Sequence, residues 1–484
     1  MNSNLNLVSG IAKYSVSTWM NLFLGFFSVI ITTRLLSPEI YGLVSLFFSA
    51  TSVMIYMLSL GLDGALIRFY NDPPGSDTRN QLLYKNLVLT ASVSFFVGVV
   101  FAIFIGRSVS NFVFGIPSRL LIGVLFIYTF CQLSLRMLNI SFRMSFQTRK
   151  YTVQNILSNS LSRILLIFAA FFTASFVGIV SILSIGMLLV LFVYLYFQKK
   201  EFYPKDINGH ARFSINLKGY GEYFRFALFC APTYIITYLN TYVNQQLISS
   251  VISHYALGIF SSTAMFVHIF SAIKGGFSTY WSAFVYKNYI TEQKKITRVH
   301  DYLIVLTIAI LSIFVFSRDL IYLVIGTDFH HSKSFFSLLL ILPTLSFIME
   351  TTDKGIALAK KNQINLITHI VSVFANIGLC LLLIKPLGLM GAAIANAVSG
   401  IILYSLNTYW GQKYYHSIKS YRKSIVGIIL MILILVIPSI TLNMIYIVCS
   451  VLLLDLITLL AYKKEAYYII KRFTVFFKTR KNNK

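Results

Sequence analysis

Again and again along this chain, about 18–22 apolar residues follow one another without interruption, and that pattern fixes the class of fold. A stretch of that length crosses the roughly 30 Å hydrocarbon core of a bilayer as a helix and is too long for a barrel strand. Irregular backbone cannot face lipid, because its N–H and C=O groups would find no partners. Composition agrees. Of all residues, 57% are hydrophobic and 12% charged, against about 25% charged in soluble domains, and mean hydropathy is +0.75. The pattern predicts an all-α polytopic membrane protein with about 14 transmembrane helices. They are placed near 15–36, 40–62, 86–106, 119–140, 152–173, 176–197, 225–248, 256–282, 301–317, 335–358, 363–384, 390–409, 424–440 and 444–462. The opening MNSNLNLVSGIAKYS lacks a basic n-region and a small-residue cleavage site, so the first span is expected to stay in the mature protein.

The longest hydrophilic passage, residues 198–224, carries Lys199, Lys200, Lys205, Arg212 and Lys218, with Pro204 and three glycines that oppose one continuous helix. It reads as a linker between an N-lobe of six spans (1–197) and a C-lobe of six (225–410), followed by two extra helices and a basic tail (411–484). The halves echo each other. Ser37 and Gly42 match Ser253 and Gly258 at an offset of 216, and Asn155, Ser158, Asn159 and Ser162 align with Asn365, Thr368, His369 and Ser372 at 210. Even span numbers start both halves from the same side, so they should be parallel repeats about a pseudo-twofold axis normal to the membrane. A cavity between such lobes is the natural place for a transported substrate.

A net charge of +26 would suggest nucleic acid in a soluble chain. Its distribution here gives another account. With both termini on one side, that side holds 31 of the 41 Lys and Arg, and the opposite side holds 6. Such a positive-inside bias predicts that both termini are cytoplasmic. The basic-aromatic tail reads as contact with anionic membrane lipids. The cysteines Cys131, Cys230, Cys380 and Cys449 all fall in apolar spans without metal-ligand spacing.

Charges inside the membrane cost about 2.5–3.5 kcal/mol each on insertion scales and should face protein or water. Helical spacing groups them with polar neighbours. The first span has the row Asn21, Gly25, Ser28 and Thr32. The fourth has Gln132, Arg136, Asn139 and Arg143, and the fifth Asn155, Asn159, Ser162 and Arg163. On the seventh, Tyr234, Tyr238 and Gln245 align behind Pro232; on the eighth, Ser271, Lys274 and Ser278. The tenth groups Ser346, Glu350, Asp353 and Lys354, and the eleventh Asn365, Thr368, His369, Ser372 and Asn376. These rows suit either helix-to-helix hydrogen bonding or a wet cavity. Arg136 and Arg163 have no intramembrane carboxylate near them in the first six spans, and Lys274 has none on its own helix. Glu350 and Lys354, four apart, can neutralise each other. Asp353 is then left as an ion or proton site, and Asp455 is read as helix-to-helix glue. A net cationic cavity would suit phosphate or another anionic sugar group. His268 and His369 read as structural histidines or proton relays, and His330 and His331 beside Asp328 lack further metal ligands. No Walker A, GxSxG, HExxH or CxxC pattern occurs, and the loop near 318–334 is too short for a catalytic domain. Neither enzyme, cofactor nor metal is expected.

Three passages carry a resemblance: Thr33-Arg34-Leu35-Leu36-Ser37-Pro38-Glu39-Ile40-Tyr41-Gly42, Gly326-Thr327-Asp328-Phe329, and the run Leu381–Gly400. They resemble the Wzx-type polysaccharide flippases of the MOP superfamily, which move undecaprenyl-pyrophosphate-linked O-antigen units for lipopolysaccharide biosynthesis. The resemblance implies two lobes opening alternately to either side of the bacterial inner membrane, a basic central cavity, and an extra helix pair that holds the lipid tail. On that reading Arg136, Arg163 and Lys274 would bind the phosphate or acidic sugars. Asn139, Asn155, Asn159, Tyr234, Tyr238, Gln245, Asn365 and His369 would contact hydroxyls, and Asp353 with Glu350 would couple transport to H⁺ or Na⁺. The alternatives are a multidrug/cation antiporter of the same superfamily, which would prefer carboxylates in the cavity, and a membrane polysaccharide polymerase or ligase, which would need a large extracytoplasmic loop.

Overall fold

The computed structural model describes residues 20–471, except 76, 146, 205–216, 360, 362, 469 and 470. Those residues form helices and short connections without a strand. In order the helices are α1 (Met20–Leu35), α2 (Pro38–Ser59), α3 (Leu62–Phe69), α4 (Arg79–Val100), α5 (Gly106–Phe114), α6 (Arg119–Met144), α7 (Thr148–Phe172), α8 (Phe176–Phe202) and α9 (Gly221–Val251). They continue as α10 (His254–Ser262), α11 (Ala264–Asn288), α12 (Gln293–Phe316), α13 (Arg318–Val324), α14 (Phe336–Leu339), α15 (Ile341–Met349), α16 (Lys354–Leu358), α17 (Gln363–Tyr414), α18 (Tyr421–Ile440) and α19 (Met444–Ala461). Nine helices among the described residues are long and apolar enough to cross a membrane, or ten if one bent pair counts as a span. Fourteen is compatible with this. The 52-residue α17 holds two of the expected spans on either side of the non-helical Gly388. In addition, α1 begins at the edge of the described residues, and α9 and α10–α11 are long but polar. The protein is an all-α polytopic membrane protein.

Most boundaries follow local chemistry. The Ser37 side chain caps α2, with Pro38 at its first turn, and Thr78 with Gln81 forms a capping box at α4. A five-residue π-helical segment, Phe101–Ile105, joins α4 to α5. The hydrophilic centre of the expected linker, 205–216, lies outside the described residues; its ends belong to α8 and to the turn at Gly219 before α9.

Two compact units emerge, Met1–Ser261 and Ser262–Lys484. In the first, α9 packs along α2 and α3. Lys85 pairs with Asp77, which also accepts from the Tyr220 hydroxyl, and the Tyr223 hydroxyl donates to Asn86 Oδ1 at 2.8 Å. These contacts tie the start of α9 to α4. The repeat seen in the sequence has a physical counterpart here. A Cβ on Gly42 would overlap the carbonyl oxygen of His254, and one on Gly258 would overlap that of Pro38. Pro38 and His254 are themselves equivalent at the offset of 216, so α2 and α10 meet reciprocally, each glycine beneath the other helix's first turn.

In the second unit the expected tenth span is not one helix. The chain bends by 69° between the 3-10 segment Thr327–Ser334 and the helix running to Met349, and residues 350–353 are turns before α16. The carbonyls exposed by this break are met from neighbours: Trp281 Nε1 donates to Glu350 O and Gln412 Nε2 to Thr352 O, both at 3.0 Å. Ser312 Oγ donates to Asp455 Oδ1 at 2.8 Å, joining α12 to α19 as the glue reading of Asp455 expects. In the first turn of α13, partial burial raises the Asp319 carboxyl, but hydrogen bonds from Lys333 and Arg318 outweigh it and hold the group below its ordinary value.

Candidate functional site

The first cluster is built by a break in the backbone. Leu60 and Gly61 both take left-handed conformations, with φ of 49° and 75°. They end α2 and turn α3 inward, so that Asp63, read from the sequence as the start of a loop, is 1% exposed. Its Oδ2 accepts from Arg136 Nη2 at 2.8 Å and from Nε at 3.2 Å. The same guanidinium lies 4.7 Å above the ring of Tyr56. Tyr56 in turn stacks on Tyr238 at 4.3 Å and on Tyr234 at 5.4 Å, and donates its hydroxyl to that of Tyr238 at 3.1 Å. The expectation that Arg136 has no acidic neighbour is therefore corrected. Its partner sits 73 residues away on a different helix, where no helical wheel of α6 could show it.

Arg163 on α7 is different. Its guanidinium lies across α1 at Gly25, where any Cβ would overlap it. It is half-buried, within electrostatic reach of the Tyr41 and Tyr128 side chains. No carboxylate lies within 4.0 Å of it among the described residues. One and two turns earlier on the same helix, Asn159 Nδ2 donates to Asn155 O at 2.9 Å, and Asn21 Nδ2 donates to Asn155 Oδ1 at 2.7 Å. The polar row of α1 thus faces the polar row of α7, with Arg163 at its end.

The third cluster lies in the second unit. Lys274 Nζ donates to Ser346 Oγ at 2.6 Å and stands 3.6 Å from Glu350 Oε1. Lys354 pairs with the other Glu350 oxygen at 2.7 Å, as the i, i+4 spacing predicts, and Ser278 donates to that oxygen at 2.8 Å. Asp353 is not left over, since its Oδ1 lies 3.4 Å from Lys354 Nζ. His369 lies within electrostatic reach of Lys274; the side chain of His268 lies outside those described. Two lysines and two carboxylates make this cluster formally neutral, as Asp63 and Arg136 make the first. The broadly cationic character expected from the rows therefore contracts, among these intramembrane groups, to Arg163.

The remaining candidates separate from the clusters. Gln245 donates to Ser45 Oγ at 3.3 Å and binds α9 to α2. Asn139 and Asn365 are half-buried, and no side-chain hydrogen bond forms at either among the described residues. On α17, Thr368 donates to Asn407 Oδ1 and Ser372 to Ser399 O, which is hydrogen bonding between spans. Sequence reasoning missed Asp63, Tyr56, Tyr41 and Tyr128. A signal for Asp63 existed in the amphipathic run LDGALIRF directly after Gly61.

Residues 7–284, more than half of the chain, match the family model described as polysaccharide biosynthesis protein. No curated protein sequence matches. Among solved structures, the chain is similar to the lipid II flippase MurJ in an inward closed conformation. The TM-score is 0.69 at 15% identity, over 95% of this chain and 99% of that one. It is also similar to an inward-facing multidrug resistance MATE family transporter of the MOP superfamily, with TM-score 0.57, 13% identity, and coverage of 81% and 93%. A third is a MOP superfamily transporter from Pyrococcus furiosus Vc1 (DSM3638), described as having a binding pocket of reverse polarity that suggests a different function. There the TM-score is 0.54 at 13% identity, over 84% and 95%. With the family model matched and the fold of the MOP superfamily in place, the chain belongs to the polysaccharide biosynthesis protein family.

Proposed function

We propose that this protein is a flippase that moves an undecaprenyl-pyrophosphate-linked oligosaccharide, of the O-antigen repeat-unit class, across the bacterial inner membrane by alternating access. The observation that carries the reading is Arg163, a guanidinium laid over Gly25 with no carboxylate partner among the described residues and an amide ladder leading to it. A planar fork of donors in a membrane span matches a phosphate bidentately, and the amides of Asn21, Asn155 and Asn159 offer hydrogen bonds to sugar hydroxyls. Arg136 and Lys274, already neutralised, would act on the substrate only by exchanging a protein carboxylate for it. The division into lobes 1–197 and 225–410, joined by the 198–224 linker, is part of the same proposal. So is ion coupling through Asp353 and Glu350, whose carboxylates share Lys354.

The experiment is flipping of a fluorescent undecaprenyl-pyrophosphate glycan in proteoliposomes, under an imposed H⁺ or Na⁺ gradient. Transport of that lipid, and loss of its gradient dependence in Asp353→Asn, is the expected result. A multidrug/cation antiporter would instead move a lipophilic organic cation and leave the glycan where it was. That outcome has a specific observation in its favour, since three acidic side chains of the clusters described above, Asp63, Glu350 and Asp353, stand inside the membrane region, apart from Asp455 on α19. Every one of them is within ion-pair distance of a lysine or arginine, which is why the anionic substrate is preferred.

Orientation has its own test. The excess of basic residues supports a reading with both termini and the linker in the cytoplasm. A reporter active only there should be active when fused after Asn208 or at Lys484, and silent after Thr173 or Leu442. Activity at both kinds of site would contradict the orientation.

A further inference from the structure

Within the second unit, α15, α17 and α18 enclose a cavity of about 770 Å³ that no part of the proposed transport reading uses. Its walls change character in one direction. Along α17 the lining side chains run from Ile401 and Tyr404 through Ser405 and Thr408 to Gln412 and Lys413, and His416 follows in the connection beyond, so the polar groups gather toward that end. Along α18 they run from Ile432 through Ile428 and Ile425 to Tyr421. A short connection joins the end of α17 to the start of α18, so the two helices are antiparallel and their polar ends coincide. At that end Lys413 is exposed, with its ammonium 4.8 Å above the Trp410 ring, and His416 Nδ1 lies 3.4 Å from the Tyr421 hydroxyl. The outer wall is open, with Ile425 58% and Ile429 50% exposed.

From Gln412 to Ile401 the groove runs about 16 Å along the helix. That is about one leaflet of the roughly 30 Å hydrocarbon core. Within that depth the walls pass from apolar to a belt of hydroxyl and amide groups, and with a cation and an imidazole at the rim they repeat the layers of one molecule: alkyl chain, ester linkage, phosphate. We propose that this groove binds an anionic phospholipid of the leaflet on the basic side, its acyl chain along Ile425, Ile428 and Ile432 and its phosphate at Lys413 and His416. Charge selects the occupant. Lys419 and Arg422 stand in the adjoining connection and first turn of α18, whereas Lys423 is taken by Glu465 at 2.8 Å.

The test is native mass spectrometry of the full chain in detergent, titrated separately with phosphatidylglycerol, phosphatidylcholine and undecaprenyl phosphate. Phosphatidylglycerol should be retained in preference to phosphatidylcholine. Lys413→Glu, at an exposed position that leaves the fold alone, should lower phosphatidylglycerol retention by about fivefold or more per charge removed near the headgroup, leaving phosphatidylcholine unchanged. Ile428→Trp, which fills the groove, should lower retention of both phospholipids. Should that variant elute as an aggregate, Lys413→Glu alone decides. Equal retention of the two phospholipids, or wild-type phosphatidylglycerol binding in both variants, would overturn the proposal. So would displacement of phosphatidylglycerol by undecaprenyl phosphate, which would give the groove to the tail of the transported lipid instead.

Discussion

Arg136→Gln should sharply reduce the amount of folded protein in the membrane, and the double variant Asp63→Asn/Arg136→Gln should restore much of it. The single change strands the Asp63 carboxylate, whose side chain is 2% exposed, and breaking a buried pair from one side costs about 3–5 kcal/mol. Asp63→Asn is expected to be milder, because the Arg136 side chain is 36% exposed and keeps its contact with the Tyr56 face. Neutralising both ends leaves an amide pair that can hydrogen-bond, with no ion to desolvate. Quantitative immunoblotting of membranes, with thermal melting of purified protein, checks the order: double variant, then Asp63→Asn, then Arg136→Gln. Normal abundance of Arg136→Gln would mean that the pair does not hold α3 to α6. A transport assay at matched abundance then reports whether Arg136 has any direct role with substrate.

The second large effect concerns Arg163. Arg163→Ala should cut transport by about 10- to 100-fold at normal abundance, because a charge-assisted hydrogen bond is worth about 1.5–3 kcal/mol. Arg163→Lys should recover only part of it, since the bidentate fork is gone. Gly25→Ala supplies the sharper test. The added methyl meets the end of a flexible side chain, not backbone, so the fold should persist while the guanidinium is pushed off α1. Transport should fall although Arg163 is untouched. The assay is restoration of surface polysaccharide in a flippase-deficient strain, with protein level measured alongside. Full function of Arg163→Gln at normal level would remove this residue from the anion site.

What could be read from the sequence was whatever lies on one helix or repeats along the chain. The Glu350–Lys354 pair sits at i, i+4, and the glycines at 42 and 258 share an offset; both expectations have structural counterparts. The partner of Arg136 was out of reach, because pairing across 73 residues depends on where α3 turns after Gly61. The same limit hid Arg163 over Gly25, although both rows were visible separately. The tenth span misled for a second reason. Hydropathy sees apolar residues through 335–358 and is blind to the turns at 350–353, whose exposed carbonyls are satisfied by Trp281 and Gln412, residues far away in sequence. Polarity of a row, finally, says nothing about what it faces: Gln245 binds another helix, and Thr368 the far half of α17 beyond Gly388.

The reciprocal meeting of α2 and α10 has the form of an isologous interface, in which the same patch appears on both partners and every contact counts twice. Here the partners are two stretches of one chain. Covalent linkage turns what would be a concentration-dependent dimerisation into an intramolecular closure at high effective concentration, so the contact survives at any protein level. It also pins very few positions. Steric exclusion acts at Gly42 and Gly258, beneath the carbonyls of His254 and Pro38, while their buried neighbours Leu43, Val44, Leu257 and Ile259 need only be apolar. A contact held in this way can keep its symmetry in space while the two stretches that make it read almost as strangers in sequence.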